Sequence, residues 1–149
     1  MGNLKLESYD FSRDGEIPRK CGYKNGNKKP ELSVSEIPEG TESLALIMDD
    51  PDAMGAVGKV WVHWVVWNFT WFADGKPHWD RPTKQGMTDF GEVGYGGPAP
   101  PDKRHTYVFK LYALDCKLDL PNESTKADVE KAMEGHIIEQ TRLTGTYAP

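Results

Sequence analysis

Two short segments of the chain place acidic and imidazole side chains where they could do chemistry. In MDDPDAM, Asp50 and Asp52 follow an apolar run, and Pro51 between them removes a backbone donor and ends a strand. In WVHW, His63 lies among apolar neighbours. Because carboxylates and imidazoles bind ions, exchange protons and hold polar ligands, these residues are the first candidates for a functional site.

The glycine- and proline-rich segment GYGGPAPPDKRHTYVF, residues 94–109, has the composition of a ligand-binding loop. Four glycines and three prolines lie between Gly91 and Pro101. Glycine lets the backbone approach a ligand closely, and successive N–H groups that face one way form an anion-binding nest. The strand that follows presents His105 and Tyr107 on one side, because side chains alternate along a strand.

The same alternation places Trp61 and His63 on one face of their own predicted strand. If this face meets the face that contains His105 and Tyr107, the site holds two imidazoles, a phenol, backbone donors and an aromatic wall. Such a combination suits a small anion. The sequence therefore predicts a pocket for an anionic ligand between two distant strands.

The carboxylates of Asp50 and Asp52 do not fit a site for an anion alone, because either would repel a phosphate. Three arrangements resolve this conflict. A carboxylate can fix the tautomer of a histidine and stabilise its cation, it can stay protonated, or it can face a cationic part of the same ligand. The last arrangement would make the ligand zwitterionic.

The elements that position these residues are mostly strands. SLALIM, residues 43–48, is a continuous apolar run that predicts a buried strand. VWVHWVVWNF, residues 60–69, is apolar on both faces, which indicates that both faces are covered. HTYVFKLYAL, residues 105–114, predicts another long strand whose even-numbered face is the more exposed one.

One helix is predicted late in the chain. It begins near Thr125, where Thr-Lys-Ala-Asp resembles a capping box, and it ends at Gly145. Val129, Met133 and Ile137 recur every four residues and mark its buried face. Since strands fill the middle of the chain and the helix follows, the predicted fold class is mainly β, an antiparallel sandwich with a C-terminal helix.

The bulk composition is that of one globular domain spanning residues 1–149. The net charge is −5 and no basic cluster is present, which excludes nucleic acid as the main partner. The first residues lack the apolar run of a signal peptide, and the longest apolar stretch is too short to cross a bilayer, so we expect a cytoplasmic protein with no integral membrane segment. Cys21 and Cys116 have neither disulfide-scaffold nor metal-site spacing, and no cofactor is implied.

Four segments together resemble the phosphatidylethanolamine-binding protein family, in its bacterial and archaeal branch: DDPDA, WVHWVVWN, QGMTDFGEVGYGGPAPP and HTYVFKLYALD. The resemblance continues through LDLP, AMEGHII and LTGTYA, and so covers nearly the whole chain. It implies a Greek-key β-sandwich with a small pocket for phosphate or phosphorylated head groups such as phosphoethanolamine. The family motifs carry the ligand-binding role onto Asp50, Asp52, Trp61, His63, Gly97, Pro98, His105 and Tyr107.

The resemblance also implies classes of partner. Related proteins act as kinase regulators, as serine protease inhibitors or in developmental signalling, and related prokaryotic proteins suggest a homodimer. The chain departs from the family pattern at Met54, where D-P-D-A-P has its last proline, and at Thr106, where His-Arg-Tyr has arginine. We expect Thr106 to point away from its neighbours, so this change would remove a salt bridge or surface contact and leave the pocket in place.

Several of these residues also have a purely structural interpretation. His63 can be a core histidine bonded to a backbone carbonyl, Asp50 and Asp52 can cap a turn, and Tyr107 can be an ordinary buried tyrosine. Three functions are therefore compared. The first is a non-catalytic binding or regulatory protein, and the second is a phosphoesterase whose Asp and His residues bind a metal. The third is a serine protease inhibitor that uses the loop at residues 71–85.

Overall fold

The computed structural model of the chain describes residues 2–78 and 83–149, and its strands form two sheets with antiparallel pairing. The elements in chain order are β1 (Lys5–Ser8), β2 (Leu32–Ser35), β3 (Ser43–Asp50), α1 (Ala53–Val57), β4 (Trp61–Phe69), β5 (Lys84–Gln85), β6 (His105–Leu114), α2 (Lys126–Met133) and β7 (Ile137–Tyr147). A single 3₁₀ turn, Arg19–Cys21, lies between the first two strands.

The larger sheet has the Greek-key order. Its five strands are arranged β5-β4-β3-β6-β7, while β1 and β2 form a separate pair. Strands β3, β4 and β5 are successive neighbours, and β6 returns over a long connection to lie beside β3, which defines the motif. The predicted fold class, a mainly β Greek-key sandwich with a helix near the C-terminus, is confirmed.

A first hydrophobic core fills the space between the two sheets. Leu6 and Val34 of the small sheet belong to one buried cluster with Leu46, Trp64 and Phe109 of the large sheet. Apolar side chains are removed from water here from both sides, which supplies most of the driving force for folding. The sandwich therefore encloses one face of β3, β4 and β6.

A second core covers the opposite face of the large sheet. Val65, Trp67 and Tyr112 form a buried cluster with Val129 and Met133 of α2. Both faces of β4 are therefore covered, as predicted. The even-numbered face of β6 is the more exposed one, as expected, since Thr106 and Lys110 are partly exposed. Tyr112 on this face is nevertheless only 9% exposed, because it packs in the helix-side core.

The C-terminal helix is much shorter than predicted. Its start is correct, since Thr125 and Asp128 form the capping box, but the helix ends at Met133 and residues 137–147 form β7. Gly135 adopts a left-handed backbone, which ends the helical path. Ile137 is 41% exposed rather than buried, and β7 pairs with the whole length of β6. Pairing with a long buried strand outweighs the local helical pattern.

A β-bulge interrupts β4 at His63. Met48 pairs with Trp64 and Asp49 pairs with Val62, so His63 is an extra residue on β4. The prediction that all odd-numbered residues of this strand share one face is therefore wrong. Val65 lies in the helix-side core, whereas Trp64 lies in the core between the sheets. At the bulge, the ring of His63 lies 5.1 Å from that of Tyr107 on β6, and the alternation of the residues that follow is shifted by one.

Three strand ends meet at one edge of the large sheet. Because β3 runs antiparallel to both β4 and β6, its last residue lies beside the first residues of the other two. Asp50 pairs directly with Trp61, and His105 begins β6. The fold thus gathers three of the predicted site segments at this edge. Within the described residues, no helix has the length and apolar character needed to span a membrane.

Candidate functional site

A cavity of about 130 Å³ lies at the edge where β3 ends and where β4 and β6 begin. Its polar lining consists of Asp50, His63, His105 and Tyr107. Its apolar lining consists of Ala53, Ala56, Val57, Trp61, Phe90, Ala99 and Pro101. Five of the eight predicted site residues therefore share one cavity: the four polar residues and Trp61. We call it the histidine cavity.

His105 is held between two carboxylates. Its Nδ1 lies 2.7 Å from an Oδ of Asp50, and its Nε2 lies 2.7 Å from an Oδ of Asp102. A carboxylate oxygen accepts, so both ring nitrogens donate and the ring is an imidazolium. Burial alone would lower the pKa of His105, but the hydrogen bonds to the two carboxylates outweigh it and raise that pKa above its ordinary value. One cation between two carboxylates leaves this group of three with a net negative charge.

His63 has the opposite electrostatic character. Its Nδ1 lies 2.7 Å from the carbonyl oxygen of Gly96, so Nδ1 donates and Nε2 retains its lone pair. The residue is 2% exposed, and burial lowers its pKa, which keeps the ring neutral at pH 7. The ring meets Tyr107 and Phe90 edge-on, at centroid distances of 5.1 and 5.3 Å. His63 is therefore a rigid hydrogen-bond acceptor.

The hydroxyl of Tyr107 is buried without a hydrogen-bond partner in the described part of the chain. The residue is fully buried, and it lines the histidine cavity. Burial, with a smaller contribution from Asp50, raises the pKa of this phenol, while the nearby Ala99 amide acts in the opposite direction without forming a hydrogen bond of ordinary geometry. The phenol therefore keeps its proton and has an unused donor next to the cavity.

Asp52 lies near the histidine cavity but does not line it. Its side-chain oxygen accepts the backbone N–H of Thr106 at 2.8 Å, and its own N–H donates to Asp50 at 2.9 Å. It thus connects the end of β3 to the start of β6. Since Thr106 contributes a backbone group to this contact, its side-chain type does not affect it. Met54 lies in α1 and is 55% exposed, outside the cavity lining.

Gly97 and Pro98 also lie outside the cavity lining. The amide of Gly97 donates to the side-chain oxygen of Asn27 at 2.7 Å, and the amide of Gly96 donates to the carbonyl of His63 at 2.8 Å. These two amides are therefore used within the protein and are not free to bind an anion. The Pro98 carbonyl accepts the amide of Tyr23. Through these hydrogen bonds, this part of the loop is fixed to β4 and to the segment that contains Tyr23 and Asn27.

Residues that the sequence did not single out complete the site. Phe90 stacks on Tyr23 at 4.0 Å and directs its ring toward Trp61, which builds the aromatic wall. Asp102 holds the second nitrogen of His105. Both lie in loops, where no periodicity indicates which way a side chain points, although Phe90 directly precedes Gly91 and Asp102 directly follows Pro101.

Potential metal ligands cluster away from the histidine cavity. Among the residues that the structure describes, side chains that could jointly hold a metal come together at Asp115, Cys116 and His136, with ligand atoms within 4.8 Å of one another. These residues follow the far end of β6, opposite to the end at His105. The protease-inhibitor hypothesis rests on a loop whose Arg81 and Pro82 lie outside the described residues.

Comparisons with known proteins agree with the fold and the motifs. The family model described as phosphatidylethanolamine-binding protein matches residues 7–148. A UPF0098 protein of Methanothermobacter thermautotrophicus is 41% identical, and the match covers 97% of this chain and 98% of that protein. The crystal structure of CT736, a phosphatidylethanolamine-binding protein homologue of Chlamydia trachomatis, superposes with a TM-score of 0.86 at 35% identity, covering 99% and 98% of the two chains. A carboxypeptidase Y inhibitor, solved with its cognate proteinase, shares the fold with a TM-score of 0.61 at 15% identity, covering 97% of this chain and 81% of that one.

Proposed function

The chain belongs to the phosphatidylethanolamine-binding protein family, and we propose that it is a non-catalytic protein that binds a small phosphate or phosphorylated group, such as phosphoethanolamine, in the histidine cavity. The observation that carries this proposal is the unpaired hydroxyl of Tyr107 beside the cavity. Most buried polar groups in proteins have partners, so an exception in a residue that lines a cavity supports a ligand there.

The energetic argument is direct. A buried donor without a partner costs about 1–3 kcal/mol, and an acceptor oxygen placed near Tyr107 removes that cost. The cavity volume of about 130 Å³ greatly exceeds what one water molecule needs, roughly 10–15 Å³ on the same kind of measure. The space therefore suits a group of several heavy atoms.

The remaining polar groups favour a ligand that has both acceptors and donors. Tyr107 offers a donor, whereas the free nitrogen of His63 and the carboxylate of Asp50 offer acceptors. A hydrogen phosphate provides P–O and P–OH groups for both roles, and a phosphoethanolamine adds an ammonium group for the carboxylate. The contact between Asp50 and His105 is the first arrangement inferred for the carboxylates, and an ammonium group of the ligand would add the third to it.

The chemistry of the lining favours binding over catalysis. The hydroxyl at the cavity is a phenol whose pKa is raised, so it stays protonated and is a poor nucleophile. His105 has both nitrogens bonded to carboxylates, which leaves no lone pair for a metal ion. These two features weigh against the phosphoesterase hypothesis.

Isothermal titration with phosphate and with phosphoethanolamine tests the proposal. We expect heat from both ligands in the wild type, and about tenfold weaker binding in Tyr107→Phe, because a hydrogen bond to a charged group is worth about 1.5 kcal/mol or more. Tyr112→Phe is the matched control, since Tyr112 lies on the helix-side face of the same strand.

The absence of both heat and a thermal shift at millimolar ligand would contradict the proposal. Equal loss of binding in the two tyrosine variants would also contradict it, because Tyr112 is remote from the cavity lining. Metal analysis of the purified protein, together with a phosphatase assay, tests the competing enzyme hypothesis. Stoichiometric metal with turnover would replace the binding function by a catalytic one.

A further inference from the structure

The two carboxylates that hold His105 differ in how firmly they are fixed. The side chain of Asp50 is 4% exposed, and its second oxygen also accepts the amide of Asp52. The side chain of Asp102 is 43% exposed and lies in the loop just before β6. Water can therefore solvate the Asp102 carboxylate in place of the imidazolium, whereas the buried Asp50 carboxylate has no access to water.

We propose that Asp102 is an internal competitor for the ligand: its carboxylate occupies Nε2 of His105 until an anionic oxygen of the ligand takes that place. This inference rests on the proposed function, because it assigns a regulatory contact to the same cavity. It makes the strength of ligand binding depend on a side chain that does not itself line the cavity.

The position of Asp102 supports the exchange. Asp102 follows Pro101, which lines the cavity, and its carboxylate bonds to His105, which also lines the cavity. The carboxylate therefore lies at the edge of the cavity. A carboxylate oxygen 2.7 Å from an imidazolium nitrogen has the geometry that a phosphate oxygen would adopt at the same atom. The two anions cannot occupy this position together.

The magnitude of the contact also fits an exchangeable group. Ion pairs with a solvent-exposed partner change an equilibrium constant by only about one- to fivefold. A ligand oxygen that enters the cavity replaces one charge-assisted hydrogen bond with another, and Asp102 recovers its hydration. Displacement of Asp50 would instead leave a buried carboxylate without its cation, which is far less favourable.

Titration of inorganic phosphate into Asp102→Asn tests the competition. We expect binding about three- to tenfold tighter than in the wild type, because the variant replaces the charged competing oxygen by a weaker, neutral amide oxygen and removes a negative charge from the cavity edge. Asp119→Asn is the matched control, since it removes the same charge from an exposed position that does not line the cavity. We expect it to bind phosphate as the wild type does.

A second readout follows the carboxylate itself. Desolvation alone would raise the pKa of Asp102, but its hydrogen bonds, above all the one to His105, lower that pKa. Carbon-detected NMR of the carboxyl group measures this pKa in the free and the phosphate-bound protein. Saturation with phosphate should return that pKa toward its ordinary value, because the carboxylate leaves the imidazolium. A merely structural aspartate in the loop would show no such change.

The outcomes separate the two proposals. If the wild type binds phosphate but Asp102→Asn binds it equally or more weakly, the competition is overturned and the binding function stands. An Asp102 pKa that does not move at saturating phosphate overturns it as well. If titration detects no phosphate binding to the wild type, to Asp102→Asn or to Asp119→Asn, the proposed function fails and the competition fails with it. Phosphate binding that is detected for Asp102→Asn but not for the wild type or Asp119→Asn would support the competition most strongly.

Discussion

Replacement of Gly97 by alanine tests whether this glycine is needed for close packing of the loop or for close approach of the ligand to the loop. An added Cβ would overlap the carbonyl oxygen of Cys21 and would lie 3.0 Å from backbone carbon atoms of Cys21 and Gly22. Backbone atoms cannot rotate away as a side chain can. Either the loop at Gly97 or the 3₁₀ turn that ends at Cys21 must therefore shift.

The expected destabilisation follows from two contributions. Overpacking of a close contact costs about 1–3 kcal/mol, and loss of the hydrogen bond from the Gly97 amide to Asn27 costs about 1 kcal/mol more. The free energy of unfolding should therefore fall by about 2–4 kcal/mol. For a chain of this length that corresponds to a decrease in melting temperature of roughly 4–16 °C.

Urea and thermal unfolding, followed by the fluorescence of the buried tryptophans Trp64 and Trp67, measure this change. Gly55→Ala is the matched control, because a Cβ at Gly55 meets no atom within 4 Å and the residue lies inside α1. Its stability should stay the same or rise by about 0.5–1 kcal/mol. If Gly97→Ala retained full stability and lost phosphate binding, the added Cβ would be blocking the approach of the ligand to the loop, and the packing argument would be wrong.

Two further predictions concern titratable groups. Iodoacetamide at pH 8 should label Cys116 and leave Cys21 unmodified until the protein is unfolded. Cys21 is fully buried, and burial raises the pKa of its thiol to about 11. Peptide mapping that found Cys21 labelled first would refute this. Stability should be highest near pH 6.5. Folding raises the pKa of His105, so the stability that this residue contributes is lost as pH rises above 6.5. Folding lowers the pKa of His63, so the stability that this residue contributes is lost as pH falls below 6.5. Urea unfolding between pH 5 and 9 checks this, and Asp102→Asn should flatten the alkaline side.

The strands could be predicted from the sequence because their signals are local. The apolar runs around β3 and β4 and the aromatic run of β6 specify strands that the structure places within a residue or two of the expected ends. The start of α2 was equally clear, since Thr125 and Asp128 form a capping box. The end of α2 was not, because Ile137 satisfies a helical spacing and a strand pattern alike, and only pairing with β6 decides between them.

The convergence of the site residues is not encoded in local spacing. Asp50 and His105 are 55 residues apart, and the family resemblance rather than any periodicity indicated that they share a cavity. The hydrogen-bond partners of the loop were not predictable for the same reason. Gly97 bonds to Asn27, 70 residues earlier, and this single contact removes an amide that the composition of the loop suggested was free.

The bulge at His63 could not be read from the sequence either. Strict alternation predicts one face for Trp61, His63 and Val65, but the extra residue moves Val65 to the opposite core. The bulge is determined by the register between β3 and β4, which depends on contacts along both strands. Bulges commonly lie beside functional sites because they redirect one side chain, and here the redirected side chain is the neutral imidazole of the cavity.

Two neighbouring carboxylates on β3 have different surroundings, and the difference supports the proposed binding role of the cavity. Asp49 faces the helix side, where two lysines satisfy it at 2.9 and 3.1 Å. The carboxylate of Asp49 is therefore satisfied by charged partners alone. Asp50 faces the cavity, where its partner is the titratable ring of His105 and the adjacent hydroxyl of Tyr107 has no partner. An unpaired hydroxyl lowers stability, and its occurrence in a residue that lines the cavity supports the proposal that a bound group completes it.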